Sequence, residues 1–219
     1  TSSDKAVDPA NTMGTTKLLG EKLVTAGNAY SGGSDIDLAS VRFGNVIKSS
    51  QSVIPLFTEQ IAEGGPVTLT DERMTRFFLT YDDVFDLVTG AAEKTTGGEV
   101  FVYKMPAIRI LDLANAMIET LAPQYGYAPS DIDIEVIGPR PGATFHEEIM
   151  TERESRRAYE NGSMYAILPE ATETRTPDPP EGFEAVDDLV LSSKDAEKLS
   201  KSEIVSLLET NGSIKTINE

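Results

Sequence analysis

Ser2-Ser3-Asp4-Lys5, followed by Met13-Gly14-Thr15-Thr16-Lys17, opens the chain and decides how the rest is read. It packs an acid, two lysines and several hydroxyls into one short span. Asp4 and Lys5 are adjacent, so an acid and a base come within reach of one small molecule. Lys17 stands at the head of an apolar-periodic run, Leu18, Leu19 and Leu23, bounded by Gly27, which predicts a helix. A loop carrying Asp-Lys that feeds a helix carrying a second lysine makes a floor for an active site. The plainer reading is a set of ordinary charges at a helix entrance.

Outward from that stretch, strands alternate with helices. A polar, glycine-rich link runs from Tyr30 to Asp37, and Leu38 to Phe43 reads as a strand entering a Gly44-Asn45 turn. Ser52 caps a helix from Val53 to Glu63 with Ile54, Phe57 and Ile61 on one face, stopped by Gly64-Gly65-Pro66. Val67 to Thr70 is a short strand. Thr80 and Asp83 precede a helix with Val84, Leu87, Val88 and Ala91 in register, and Glu99 to Tyr103 alternates as a strand. Ile110, Leu113, Ala114, Met117 and Leu121 form a third helix; Ile132, Ile134 and Val136 alternate as a strand. From Thr151 charges and prolines dominate, with Thr176-Pro177-Asp178-Pro179-Pro180 reading as extended loop. Ser200 and Glu203 form a capping box before Ile204, Val205, Leu207 and Leu208, and Asn211-Gly212 closes that helix. The alternation predicts an α/β fold with a mostly parallel sheet.

The 219 residues hold one sizeable core, or one domain with an appendage. No run of eighteen or more apolar residues occurs, so no membrane span is expected. No secretory signal is visible, and a cytoplasmic location is expected. One histidine, His146, and no cysteine argue against a metal site. The formal charge is −17, from 36 acids against 19 bases, which removes the basic footprint of a nucleic-acid binder. An excess of acid this large suggests adaptation to high salt, where screening relieves self-repulsion.

The opening motif, Ser-x-Asp-Lys with Met nine positions after the acid and Lys four after the Met, resembles the extended short-chain dehydrogenases/reductases. The branch is the capsule-type UDP-N-acetylglucosamine 4,6-dehydratases of polysaccharide biosynthesis, which often carry Met-x-x-x-Lys where most of the superfamily has Tyr-x-x-x-Lys. Downstream, Arg42-Phe43-Gly44-Asn45-Val46, Ser52-Val53-Ile54-Pro55, Met74-Thr75-Arg76-Phe77, Gly98-Glu99-Val100-Phe101-Val102 and Gly138-Pro139-Arg140-Pro141-Gly142 resemble the family's segments in order. The resemblance runs from Ser2 to about Met150. It implies the C-terminal part of a Rossmann-type parallel sheet interleaved with a small α/β substrate-binding domain. Residues 1–150 would be the partial dehydratase domain, with substrate-binding parts at about 47–75 and 105–150; residues 151–219 would be an acidic extension with a terminal helix.

The same resemblance implies an NAD-dependent 4,6-dehydratase acting on UDP-N-acetylglucosamine or a similar UDP-sugar, with NADP as the alternative dinucleotide. The sugar is oxidised at C4, a proton leaves C5, water leaves C6 and the hydride returns to C6. Carried over by motif, Lys17 holds the nicotinamide ribose with Ser2 beside the cofactor, Lys5 is the base at C5, and Asp4 protonates the departing C6 hydroxyl. Met13 has no proton to give, so the C4 hydroxyl proton goes to Asp4 or through Ser3. Asn45, Arg76, Arg140 and Glu147 are the substrate-binding candidates; an arginine fork in a Pro-Gly turn suits a diphosphate. Each has a structural alternative: Met13 as core filler, Arg76 as an ion-pair partner, His146 as a packed residue, Glu147 as a local cap.

Three departures stand beside these matches. No G-x-G-x-x-G fingerprint opens a βαβ unit here. Ile47-Lys48-Ser49-Ser50-Gln51 replaces the family's usual Gly-Ser-Arg-Gly loop, and Ala143-Thr144 replaces its usual Glu-Lys. The expectation is a C-terminal part that is marginally stable alone and leans on a homo-oligomer, high salt or a complementing N-terminal segment. The competing functions are a nucleotide-sugar 4-epimerase of the same superfamily and a non-catalytic remnant; Asp4-Lys5 and Met13 favour the dehydratase.

Overall fold

The computed structural model describes residues 1–30, 36–49, 52–139, 141–172, 176–186 and 189–214. In chain order its elements are α1 (Thr12–Gly27), β1 (Ser40–Arg42), β2 (Asn45–Val46), α2 (Val53–Ala62), β3 (Val67–Leu69), β4 (Thr75–Leu79), α3 (Tyr81–Lys94), β5 (Val100–Tyr103), β6 (Ala107–Arg109), α4 (Ile110–Leu121), β7 (Ile134–Val136), α5 (Glu152–Ser155), β8 (Ala158–Glu160), β9 (Met164–Ile167), β10 (Glu184–Ala185) and α6 (Lys201–Thr210). They form two compact units. One takes Thr1–Gly44, Tyr81–Met105 and Glu147–Asp195; the other takes Asn45–Thr80, Pro106–His146 and Ala196–Glu219. The residues beyond 150 are thus divided between the two.

The first unit is built on a sheet ordered β1-β5-β9-β8-β10. β1 and β5 run parallel, Val41 opposite Phe101, and the other three strands add on antiparallel. The first residues lengthen this sheet on the far edge of β1. Ser2 N donates to the Val41 carbonyl at 2.7 Å and Asp4 N to the Phe43 carbonyl at 3.1 Å, a stepping of two residues in the parallel sense. Side chains alternate across a strand. Val41, Phe101 and Ala166 therefore share a face, where they pack on Leu87 and Ala91 of α3. Arg42 points to the opposite face, toward α1.

Arg42 is fully buried and fully engaged. Its Nε and Nη2 donate to Glu21 of α1 at 3.0 and 2.6 Å. Nη1 and Nη2 donate to Glu154 of α5 at 3.2 and 3.0 Å, and Nη1 reaches the Ile149 carbonyl at 2.9 Å. Burial works against the guanidinium charge, but the bonds it donates to Glu21 and Glu154 outweigh this and hold its pKa above the ordinary arginine value. Burial likewise opposes the Glu154 carboxylate, and the Arg42 bonds reverse that, holding it below the ordinary 4.5. Glu99, buried beneath hydrogen bonds from Thr95 and Thr96, is depressed by the same balance.

The second unit has its own apolar core. Ile54, Phe57 and Ile61 of α2 meet Leu113, Ala114, Met117 and Leu121 of α4, Ile204 and Leu208 of α6, and Val67 and Leu69 of β3. Each such side chain contributes about 1.5–3 kcal/mol on burial. A cap contributes about 1, so packing rather than capping holds these helices. The capping box of α6 is formed: Glu203 N donates to Ser200 Oγ at 3.4 Å and Ser200 N to Glu203 Oε2 at 2.8 Å. β2-β4-β6 make a three-stranded sheet and β3-β7 a parallel pair.

The structure departs from the sequence pattern in two places. The apolar run of α1 faces outward, with Leu19 57% and Leu23 64% exposed, while the helix buries Gly14 and Glu21. The charged stretch after Thr151, where the pattern assigned no strand, contains β8 and β9, which pair with each other and onto β5. Among the described residues no helix is long and apolar enough to cross a membrane.

Removing Arg42 strands two buried carboxylates. Arg42→Ala is expected to destabilise the protein by about 3–5 kcal/mol, read from denaturant unfolding. Acid should act on the same unit. Glu154 and Glu99 titrate lower folded than unfolded, so their stabilisation is intact above 4.5 and is lost as pH falls through the folded values. The unfolding midpoint should be flat from pH 7 to about 5 and fall below it, and Glu99→Gln should shallow that fall.

Candidate active site

The edge segment carries its acid and base to the carboxyl end of β1, where open α/β sheets place ligands. Asp4 N bonds to the Phe43 carbonyl just past that strand, and the Asp4 side chain is completely buried. Its Oδ1 accepts three bonds, from Ser3 Oγ at 2.7 Å, Lys5 N at 2.8 Å and Lys5 Nζ at 3.1 Å. Its Oδ2 is buried with no hydrogen-bond partner. One oxygen thus fixes the carboxyl, and the other is left over. Lys5 is 31% exposed at its side chain, so its ammonium is paired on one side and open on another. Adjacency in sequence has become an ion pair with a free face. Ser2, two residues back on the same side of the extended segment, is also buried with its Oγ unpartnered.

Helix α1 is set against this pair by a close backbone approach. Asn11 caps it, Oδ1 accepting from Gly14 N at 3.0 Å. Gly14 then lies directly on the Lys5 carbonyl: a Cβ at this position would come within 2.1 Å of the Lys5 oxygen and 3.0 Å of the Pro9 Cβ. No flexible side chain is available to yield there. Met13 and Lys17 are one turn apart and share a helix face. Met13 is exposed and Lys17 half-buried. The sequence reading assigned Gly14 no role; the signal was a glycine inside a helix, which survives there for a packing or functional reason.

The other candidates fall as follows. Glu147 belongs to the first unit and is buried; its N donates to Ser193 Oγ at 2.9 Å and its carbonyl accepts from Ser193 N at 2.8 Å. Asn45 and Arg76 belong to the second unit. Asn45 is half-buried on β2. Arg76, on β4, donates to the carbonyls of Thr75 at 2.7 Å, Phe145 at 3.1 Å and Thr144 at 2.8 Å, which buckles the 141–146 segment to that strand. Thr75 Oγ1 and His146 Nδ1, 2.8 Å apart, add a second tie, and Arg73 covers the Phe145 ring at 4.5 Å. The Arg73 fork also holds Asp71 down to about 2. Arg140 lies outside the described residues. In the loop after Asn45, Lys48 takes a left-handed φ of 67° without being glycine.

A model of the family described as polysaccharide biosynthesis protein matches residues 1–169. An uncharacterized membrane protein of Methanocaldococcus jannaschii is 42% identical over 95% of this chain and 60% of its own length. The inverting UDP-N-acetylglucosamine 4,6-dehydratase of Campylobacter jejuni is 38% identical over 77% of this chain and 47% of its own. The X-ray structure of Pen from Bacillus thuringiensis superimposes with a TM-score of 0.83 at 37% identity, covering 98% of this chain and 62% of that one. Relatives named UDP-glucose 4-epimerase, from Rickettsia, also match. The chain therefore spans from about half to three fifths of the length of these proteins.

The Gly14 contact predicts opposite outcomes for two glycines of one helix. Gly14→Ala should destabilise by about 1–3 kcal/mol through overpacking. Gly20→Ala, where a Cβ meets nothing within 4 Å, should stabilise by about 0.5–1 kcal/mol. Paired denaturant curves check both.

Proposed function

This chain belongs to the family described as polysaccharide biosynthesis protein, and from that premise we propose that it carries the acid–base machinery of an NAD-dependent nucleotide-sugar 4,6-dehydratase acting on UDP-N-acetylglucosamine or a similar UDP-sugar. The observation that supports it most is the Asp4–Lys5 pair: a buried carboxyl with one oxygen held and one unengaged, bonded to an amine that stays accessible.

Dehydration needs a base at C5 and an acid at the C6 hydroxyl. As an ion pair, Asp4 and Lys5 hold the wrong forms for both tasks, since the amine carries the proton. A shift of that proton across their 3.1 Å contact gives a neutral amine and a neutral acid together. A dry site favours the neutral form, because separated charge is costly there. Lys5 then takes the C5 proton, and Asp4 gives the proton it has received to the departing hydroxyl. Ser3 Oγ, 2.7 Å from Asp4 Oδ1, offers the path for the C4 hydroxyl proton that Met13 cannot accept.

The residues fit the nicotinamide end of the dinucleotide: Lys17 lies half-buried on α1, and Ser2 presents a buried hydroxyl with no protein partner. Bound there, NAD supplies hydride acceptance and return. Asn45 and Arg140 are the proposed contacts to the nucleotide-sugar. Arg76, bonded to three carbonyls, serves the same purpose by holding the 141–146 segment in place. Glu147 is proposed at the substrate ribose.

The epimerase names among the relatives favour a second reading, in which C4 is oxidised and re-reduced without loss of water. Product mass separates the two. With UDP-N-acetylglucosamine and NAD in high salt, the expected product is lighter by one water, and Asp4→Asn should slow its formation at least about 100-fold while the fold persists. A product of unchanged mass with inverted C4 selects the epimerase. Unchanged sugar, with no NAD retained on the protein, rejects both in favour of a non-catalytic chain.

A further inference from the structure

We propose that the first unit carries a second ligand site, separate from the Asp4–Lys5 site, which takes a phosphorylated small molecule of nucleotide size. A cleft of about 890 Å³ lies between the second half of α1, the start of β5, α5 and the end of β9. It sits at the amino end of β5, by Gly98 and Val100, whereas Asp4 and Lys5 sit at the carboxyl end of the parallel strands. Its volume matches that of small-molecule sites.

The walls are specific. Lys22, Arg153 and Arg157 converge on the cleft, in a chain whose net charge is −17 and whose overall field repels anions. Arg157 is the informative one. Its Nη1 donates to the Leu168 carbonyl, which fixes the guanidinium, while its Nε is buried with no hydrogen-bond partner. A buried charged donor left unsatisfied is costly, and a phosphate oxygen is a matching acceptor for a guanidinium edge. The acids on the wall do not cancel this. Glu21 and Glu154 are committed to Arg42, and Glu170 meets Arg153 in an exposed pair at 3.1 Å that a stronger anion displaces. Ile167, Leu168 and Pro169 supply an apolar wall for the body of such a ligand.

Isothermal titration calorimetry of the whole protein with uridine monophosphate, and separately with inorganic phosphate, tests this without reference to catalysis. Uridine monophosphate should bind, and Arg157→Gln and Arg153→Gln should each weaken it about ten-fold. Phosphate that binds with the same sensitivity to both arginines supports the anion half of the site and assigns the rest of the affinity to the apolar wall. Arg153 is 78% exposed at its side chain, so its substitution keeps the test valid if the Arg157 variant fails to fold. Heat that neither arginine substitution changes, or no heat with either probe, overturns the proposal.

Discussion

One guanidinium between two carboxylates organises the first unit. Arg42 reaches both α1 and α5 from β1, and it does so with every nitrogen occupied. Apolar contact at this spot would demand that α1 present its leucines inward. Instead the helix turns Glu21 to the sheet and leaves Leu19 and Leu23 outside. Two acids for one base leave a negative excess in the interior, which arginine tolerates better than lysine because its charge is spread over a planar fork that bonds both partners at once. A buried cluster of this kind is a poor source of net stability but a strict specifier of geometry, since any register of α1 that separates Glu21 from Arg42 leaves a charge unpaired.

That geometry propagates to the carboxyl end of the strand. Glu21 sets the rotation of α1, and the same rotation places Gly14 on the Lys5 carbonyl, two helical turns earlier. The backbone of Lys5 is therefore pressed from one side by a helix and held from the other by the Asp4 bond to Phe43. An adjacent acid and base on an extended segment would ordinarily point to opposite faces. Here the turn after Asp4 folds the Lys5 amine back onto Oδ1, and the Ser3 hydroxyl joins the same oxygen.

What the sequence revealed follows from which forces have a local signature. α2, α4 and α6 were readable because each carries one apolar stripe at fixed spacing, with a capping box besides at α6 alone; Ser52, read as the cap of α2, makes no side-chain cap bond. The existence of α1 was readable for the same reason. Its orientation was not, because a leucine pattern says nothing of a glutamate that finds an arginine twenty-one residues on. β8 and β9 escaped notice since they are short and their outer positions are charged: Glu160 pairs with Lys104, which also covers the Tyr165 ring. The Asp4–Lys5 pair was visible as chemistry in the letters. The close approach at Gly14 became visible only with the Lys5 carbonyl in place.

The two ionisable clusters of the first unit use one physical condition for different ends. Around Arg42, burial is matched by enough hydrogen bonds that the charges persist, and burial then makes the geometry rigid. Around Asp4, burial is matched on one oxygen and left unmatched on the other. Filling Oδ2 with a donor, as every nitrogen of Arg42 is filled, would remove the open oxygen on which the proposed acid–base role rests. Geometry in this unit is therefore fixed at Arg42, and the incomplete hydrogen bonding that the proposed acid–base role uses lies on the neighbouring segment, at Ser2 and Asp4.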